Sequence, residues 1–360
     1  MYRMGSLGRI GHRERDSAHG RRSLGHYLNG RTSPGTRSPR SRRYGAAMAV
    51  ETTRQKSSDE RAATRTVQTP EGRTVAYATF GSASGAPLLA FHGTPGSRLF
   101  GRLLDTQARE QDVRVVAIDR PGFGRTESVP GFGPADVPDL VDPVLDSLGC
   151  SRVGVLGFSG GAPYALALAA ARPDTVRSVD VVSGAVAPSL VEEPPRQMRL
   201  LSGMARRTPR VLGWLLRGQS WLARRRPAII ASQYTDPEDV RESVVETVAA
   251  EFREAMAETR AGTIRELQAV GTTWPVDLET VEPSVRLWHG DRDENVPIEG
   301  ARRLETRLPN ATLLTVEGAD HLQTLLECRE EVLEGDGDQR ESSSESTSYA
   351  SSSTSTVSSS

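Results

Sequence analysis

An α/β fold with a mainly parallel sheet, interrupted once by a helical insertion, is what this sequence predicts. Three observations carry the prediction. Short apolar, β-branched runs alternate with helical stretches from about Thr66 to Val182 and again from Val285 to Leu333, the pattern of consecutive βαβ units. Glycine-rich turns bearing His92, Asp119 and Ser159 directly follow three of those runs. That is the carboxyl end of each strand, where a parallel sheet gathers its active residues. From about Pro188 to about Thr273 the alternation stops, and only helix signals remain.

The elements follow in chain order. Residues 1–65 are rich in Arg, Ser and Gly with little apolar periodicity, and are expected to form a disordered head. Arg73–Phe80 alternates and reads as a strand. Pro87–Phe91 is a buried strand that ends in His92-Gly93-Thr94-Pro95-Gly96. Leu99, Leu103 and Leu104 give Ser97–Gln111 a helical spacing. Val113–Ile118 is a buried strand closed by Asp119-Arg120-Pro121-Gly122-Phe123-Gly124, and Val137–Leu148 is a helix. The short apolar, β-branched run that opens at Val153 ends in Gly157-Phe158-Ser159-Gly160-Gly161 and passes straight into an Ala/Leu-rich run, which reads as strand, sharp turn and helix. Val176–Val182 is a further strand.

In the insertion, Asp236-Pro237-Glu238 reads as the start of a long helix. Val240, Val244, Val248, Phe252 and Met256 mark one face of that helix. Trp214 and Trp221, with Leu215, Leu216 and Leu222, are expected in the insertion's own core, and secondly as a substrate wall. The arginines around them (206, 207, 217 and 224–226) read as a solvated helix face rather than a docking site for a membrane or an acidic substrate. Val285–Trp288, Ile298–Leu308, Ala311–Val316 and Leu322–Leu333 then read as strand, helix, strand and helix. Beyond Gly335 the chain is a Ser/Thr/Glu tail, expected to be disordered.

Charge divides the chain. Residues 1–47 hold eleven Arg against Glu14 and Asp16, about +9, while the whole chain is at −1, so the remainder is acidic. A nucleic-acid-binding fold wants a basic folded face, so no nucleic-acid partner is expected for the folded core. The basic run from Arg37 to Arg43 is read as a solvated tail, or as an extension upstream of a native start at Met48, ahead of an RNA-binding element. Lys56 is the one lysine beside 44 arginines. Cys150 and Cys328 make no disulfide framework and are read as free. No stretch approaches eighteen uncharged apolar residues, and Arg42-Arg43 is followed by no apolar region before Glu51. The expected location is the cytoplasm, and the oligomeric state is left open.

The Gly157-to-Gly161 turn carries the chemistry. Glycine-rich turns before helices also cradle phosphates, but no Gly-Lys-[Ser/Thr] follows here. A serine at the tip of a sharp strand-to-helix turn suits nucleophilic attack if a base lies nearby. His92, His289 and His321 lack the short spacings of zinc ligands, and no nicotinamide or flavin fingerprint occurs. No cofactor or metal is expected.

Five elements in this order resemble the α/β-hydrolase superfamily in its capped, esterase-like branch. They are the His92–Gly96 turn, the Asp119–Gly124 turn, Gly157–Gly161, Gly290-Asp291-Arg292-Asp293-Glu294-Asn295-Val296-Pro297 and Gly318-Ala319-Asp320-His321. The resemblance implies a sheet of the eight-stranded type, with core residues 66–187 and 273–334 and a helical cap over 188–272. It assigns Ser159 as nucleophile and His321 as its base in preference to His92 or His289. Asp291 and Asp293 both qualify as the acid by location, and the family pattern assigns it to Asp293, leaving Asp291 as a turn-former. Asp119 is read as a turn residue. The resemblance also implies the Thr94 and Gly160 backbone N–H groups as the oxyanion hole. The expected activity is hydrolysis of a small to medium carboxylic ester with an apolar part. The alternatives are hydrolysis of a carbon–carbon bond, haloperoxidase-like perhydrolysis, proline aminopeptidase action, or non-catalytic ligand binding on the same fold.

Overall fold

The computed structural model describes residues 63–191, 195–270, 272, 274 and 276–337. The expected head and tail therefore lie outside the described residues, except for 63–65 and 335–337. There, a strand opens at Arg65 and the last helix runs through Gly337.

Eight strands form one sheet: β1 (Arg65–Gln68), β2 (Thr74–Gly81), β3 (Ala86–Phe91), β4 (Val113–Ile118), β5 (Val153–Phe158), β6 (Val176–Val182), β7 (Ser284–Gly290) and β8 (Ala311–Val316). Their spatial order is β1-β2-β4-β3-β5-β6-β7-β8. β1 pairs with β2, and β2 with β4, antiparallel; every other pair is parallel. β1 is a short edge strand that the sequence pattern does not reveal, because three of its four residues are exposed. The central strands are buried on both faces, so they read as unbroken apolar runs. Their side chains alternate between two cores. Leu89, Phe91, Val116 and Ile118 enter one core with α2 (Val137–Leu148) and α3 (Ala162–Ala171). Leu88, Ala90, Val115 and Ala117 enter the other, with α1 (Asp105–Glu110) and the final helix. α3 is apolar all round and buried from Ala162 to Ala169, as a helix enclosed by the protein must be.

Between β6 and β7 run α4 (Arg196–Arg207), α5 (Pro209–Arg225), α6 (Pro227–Ala231), α7 (Glu242–Ala255) and α8 (Ala261–Ala269). Among the described residues this insertion contains no strand. After it come α9 (Ile298–Glu305) and α10 (His321–Gly337). Where the insertion leaves the sheet, buried Asp180 of β6 accepts both Arg286 guanidinium bonds and the Trp288 indole N–H of β7, all at 2.8 Å.

Four expectations are corrected. Ser97–Gln111 is not one helix. The Ser97 hydroxyl caps a 3-10 helix over Arg98–Leu103, in which Gly101 lies against the Phe80 ring with no room for a Cβ, and α1 starts anew at Asp105. Asp236 does not start the long helix. Its carboxylate accepts the Glu238 N–H at 3.0 Å in an Asx-turn, and α7 opens at Glu242, beyond Val240. Val244, Val248, Phe252 and Met256 are all buried as one face. Trp214 and Trp221 are 75% and 57% exposed, so they are not core. The buried face of α5 consists of Leu212, Leu216 and Ala223 instead. Asp119 is not merely a turn residue. It is fully buried, pairs with the Arg98 guanidinium at 2.7 Å and accepts the Arg98 and Arg125 N–H groups at 2.6 and 3.0 Å.

α7 docks on this corner. Glu254 pairs with Arg98 at 2.6 Å, and buried Glu251 accepts the Ser97 N–H at 3.3 Å. Burial pushes the Glu251 carboxyl up to about 8, against the opposing pull of the Ser97 N–H and Arg120. In the unfolded chain this group loses its proton near the ordinary carboxylate value of 4.5; in the folded chain it keeps it to about 8. Its contribution to stability is thus whole below pH 4.5 and is lost as pH rises towards 8. Glu251→Gln retains the acceptor oxygen without the titration. It is expected to melt about 4 °C or more above the wild type at pH 8, with the gap closing towards pH 5, in scanning calorimetry.

Candidate active site

Ser159 stands between β5 and α3, the first residue of a single 3-10 turn, Ser159–Gly161. Its φ is +50°, a left-handed conformation that L-residues adopt at a cost. The tight packing of the turn enforces it. Gly157 packs against Ala162 and Ala165 of α3, and Gly161 against the carbonyl of Phe91. A Cβ on either would collide, which is why glycine holds both positions.

The turn lifts the Ser159 hydroxyl to within 2.9 Å of His321 Nε2. His321, at the start of α10, is 2% exposed. Its Nδ1 lies 2.7 Å from Asp293 Oδ2. The other Asp293 oxygen accepts the N–H groups of Asn295 and Val296, each at 2.9 Å. Burial works against the Asp293 charge, but the His321 hydrogen bond and charge, the Val296 N–H and the nearby His289 together outweigh it, and the carboxyl sits below its ordinary range. Phe158 and Tyr234 flank the imidazole, with ring centroids at 5.2 and 6.2 Å. A hydroxyl, an imidazole and an ionised carboxylate are thereby linked in a line, an arrangement able to move a proton off the hydroxyl.

The neighbouring candidates hold other hydrogen bonds, although His289 Nε2 also lies 3.5 Å from Asp293 Oδ2. Asp291 accepts the Gly318 N–H at 2.7 Å. Asp320 caps α10 through the Leu322 and Gln323 N–H groups. His289 donates Nε2–H to the Val296 carbonyl at 2.7 Å, and burial lowers its pKa. His92 Nδ1 bonds the Gly93 carbonyl at 2.7 Å, and burial with the nearby Arg120 charge holds its pKa well down.

Thr94 lies directly beside the turn. A Cβ built on Gly160 would stand 3.3 Å from the Thr94 nitrogen, so the two backbone segments meet there. This contact is fixed by residues that sequence reasoning passed over. Arg120, with no exposed surface, reaches the Gly93 carbonyl and the Thr94 hydroxyl, both at 3.1 Å, and also bonds the His92 carbonyl. Its guanidinium pairs with both oxygens of Glu266 at 2.9 Å. Glu266, from α8, also takes hydrogen bonds from the Thr94 hydroxyl and, at 3.0 Å, from Tyr164. Burial disfavours the Glu266 charge, but Arg120, Arg265 and the Thr94 hydroxyl together more than compensate, and the pKa falls. Arg120 had been visible only as part of a turn motif. Glu266 lies 146 residues away in an ordinary amphipathic helix, with no local signal. Glu266→Ala would leave a buried guanidinium unpaired, at an expected cost of about 3–5 kcal/mol, read as a lower midpoint in urea.

Above Ser159 opens a cavity of about 620 Å³. Leu190, Val191, Met198, Leu267, Val270 and Trp274 give it apolar walls, and Thr94, Ser159, Gly160 and Glu266 lie in its lining. Among the described residues, its charged lining residues are Glu266, Glu299 and Arg303. Among the described residues no group of three His, Cys, Asp or Glu side chains is arranged to hold a metal ion. No described helix is long and apolar enough to cross a membrane.

The family model for the alpha/beta hydrolase family matches residues 88–334. The chain belongs to this family. Among curated relatives, it is 31% identical over 117 residues to the dihydrolipoyllysine-residue acetyltransferase component of an acetoin cleaving system from Pseudomonas putida, covering 32% of this chain and 31% of that one. It is 27% identical over 208 residues to 2-hydroxy-6-oxononadienedioate/2-hydroxy-6-oxononatrienedioate hydrolase of Cupriavidus pinatubonensis, covering 56% of this chain and 67% of the relative. The chain thus spans about a third of the length of the first curated relatives it matches. Among solved structures, an esterase from Rhodococcus sp. ECU1013 superposes with a TM-score of 0.53 at 21% identity, covering 80% of this hydrolase-family chain and 98% of the esterase. That likeness is one of fold.

Proposed function

We propose that this member of the alpha/beta hydrolase family is a serine hydrolase of carboxylic esters, working through an acyl-enzyme on Ser159. The observation that carries the reading is the line Ser159–His321–Asp293, at 2.9 and 2.7 Å, at the foot of an apolar cavity. His321 takes the Ser159 proton as Oγ attacks the ester carbonyl, and Asp293 stabilises the imidazolium. The N–H groups of Thr94 and Gly160 receive the developing oxyanion. His321 then gives the proton to the departing alcohol. A water, deprotonated by the same histidine, releases the acid and restores Ser159.

The lining favours a small to medium ester with an apolar part, bound under the helical insertion acting as a cap. Arg120 neutralises Glu266, and Glu299 offsets Arg303 among the described lining residues, so the lining offers no net positive charge to a dianionic substrate, which sets the carbon–carbon bond hydrolysis reading second. The test is incubation with a fluorophosphonate, followed by peptide mapping. Label on Ser159, absent in His321→Ala, is expected, together with turnover of p-nitrophenyl esters of short to medium chain. A folded protein that takes no label on Ser159 would overturn the proposal.

A further inference from the structure

The exposed face of α5 is built like a protein surface that meets lipid. Val211, Trp214, Leu215 and Trp221 are 52%, 75%, 53% and 57% exposed. At 3.6 residues per turn they form one stripe, centred about 140° around the helix from the buried Leu212, Leu216 and Ala223. An amphipathic helix packed on a core needs one apolar stripe; α5 has a second, turned outward. Arg210, Arg217, Arg224 and Arg225 flank it, all exposed. The Arg217 and Arg225 guanidinium groups lie 5.9 and 4.7 Å from the Trp214 and Trp221 ring centroids. From Arg196 to Thr235 the sequence holds nine arginines and no Asp or Glu, in a chain whose net charge outside its head is negative. Arg206, Arg207, Arg217 and Arg224 to Arg226 are all exposed, as the sequence reading of a solvated helix face expects.

We propose that this face docks the protein on an anionic lipid surface. Indole rings settle at the boundary between headgroups and acyl chains. Arginines beside them reach the phosphates while their stems lie along the apolar boundary. Charge complementarity selects the occupant. Two copies of this face carry the same charge and repel, and the basic head repels it too. A nucleic acid would satisfy the arginines but leave Val211 and Leu215 with nothing apolar to bury against. The Ser-rich stretch 338–360 bears Asp338, Glu341 and Glu345 and is the rival occupant that the experiment separates. The inference does not depend on the reaction at Ser159.

The experiment is flotation of the full chain with vesicles of phosphatidylcholine containing half phosphatidylglycerol, against phosphatidylcholine alone. The variants are Trp214→Ala/Trp221→Ala and Arg210→Gln/Arg217→Gln/Arg224→Gln/Arg225→Gln, each checked by circular dichroism and melting temperature. The wild type is expected to float with the anionic vesicles and to blue-shift its tryptophan emission. Each variant is expected to lose about tenfold or more in partition coefficient, and high salt to weaken the wild type. Because every protein carries the same head, variants that float like the wild type would assign binding to the head and overturn the proposal. So would a wild type that never floats, a dimer dissolved by Trp214→Ala, or flotation that appears only after removal of residues 338–360.

Discussion

Ser159→Ala is expected to lower kcat on a p-nitrophenyl ester by about 10⁶-fold, at the level where the serine, the histidine and the carboxylate fail together. In the proposed mechanism the hydroxyl that meets His321 Nε2 at 2.9 Å becomes the acyl carrier, and alanine offers no nucleophile in its place. A residual acceleration of about 10³-fold over water should survive, supplied by the backbone donors and the cavity. The fold should be retained, since alanine accepts the φ of +50° no worse than serine does. Circular dichroism and a melting temperature near that of the wild type, beside the lost turnover, are the readouts. Turnover at the wild-type rate would remove Ser159 from the reaction.

Asp293→Asn is expected to cost about 10⁴-fold in kcat, and the geometry supplies the reason. One carboxylate oxygen accepts two N–H groups, from Asn295 and Val296, while the other faces His321 Nδ1 at 2.7 Å. An asparagine must keep its carbonyl oxygen on the two backbone donors, so its NH₂ turns towards Nδ1. The imidazole then has to carry its proton on Nε2, where it cannot accept one from Ser159. Asp291→Asn is the control. Asp291 accepts a single N–H from Gly318, which an amide oxygen also serves, so kcat should change by no more than about threefold. Comparable losses in the two variants would move the acid away from Asp293.

Much of the fold was legible because burial on both faces writes itself into local sequence. The strands Val113–Ile118, Val176–Val182 and Ala311–Val316 and the helix Val137–Leu148 begin and end where their apolar patterns do. The half-exposed edge strand Arg65–Gln68 leaves no such mark. Helices in the insertion were legible as helices, and α7 also by its buried face, but α5 was not legible by orientation. α5 carries two apolar stripes, and spacing alone does not say which one, Leu212 with Leu216 or Trp214 with Trp221, turns inward.

By itself, then, the sequence determined the buried strands of the sheet, their alternation with helices along the chain, and the turns that present Ser159, Asp293 and His321, because each depends on residues close in the chain. Tertiary structure alone decided what holds those turns together. Arg120 and Glu266, 146 residues apart, form one buried ion pair that clamps the Thr94 turn to the insertion. Buried charges are tolerated only with a partner, and the partner is chosen by how distant helices pack, not by their neighbours in sequence. The same packing choice left Trp214 and Trp221 facing outward.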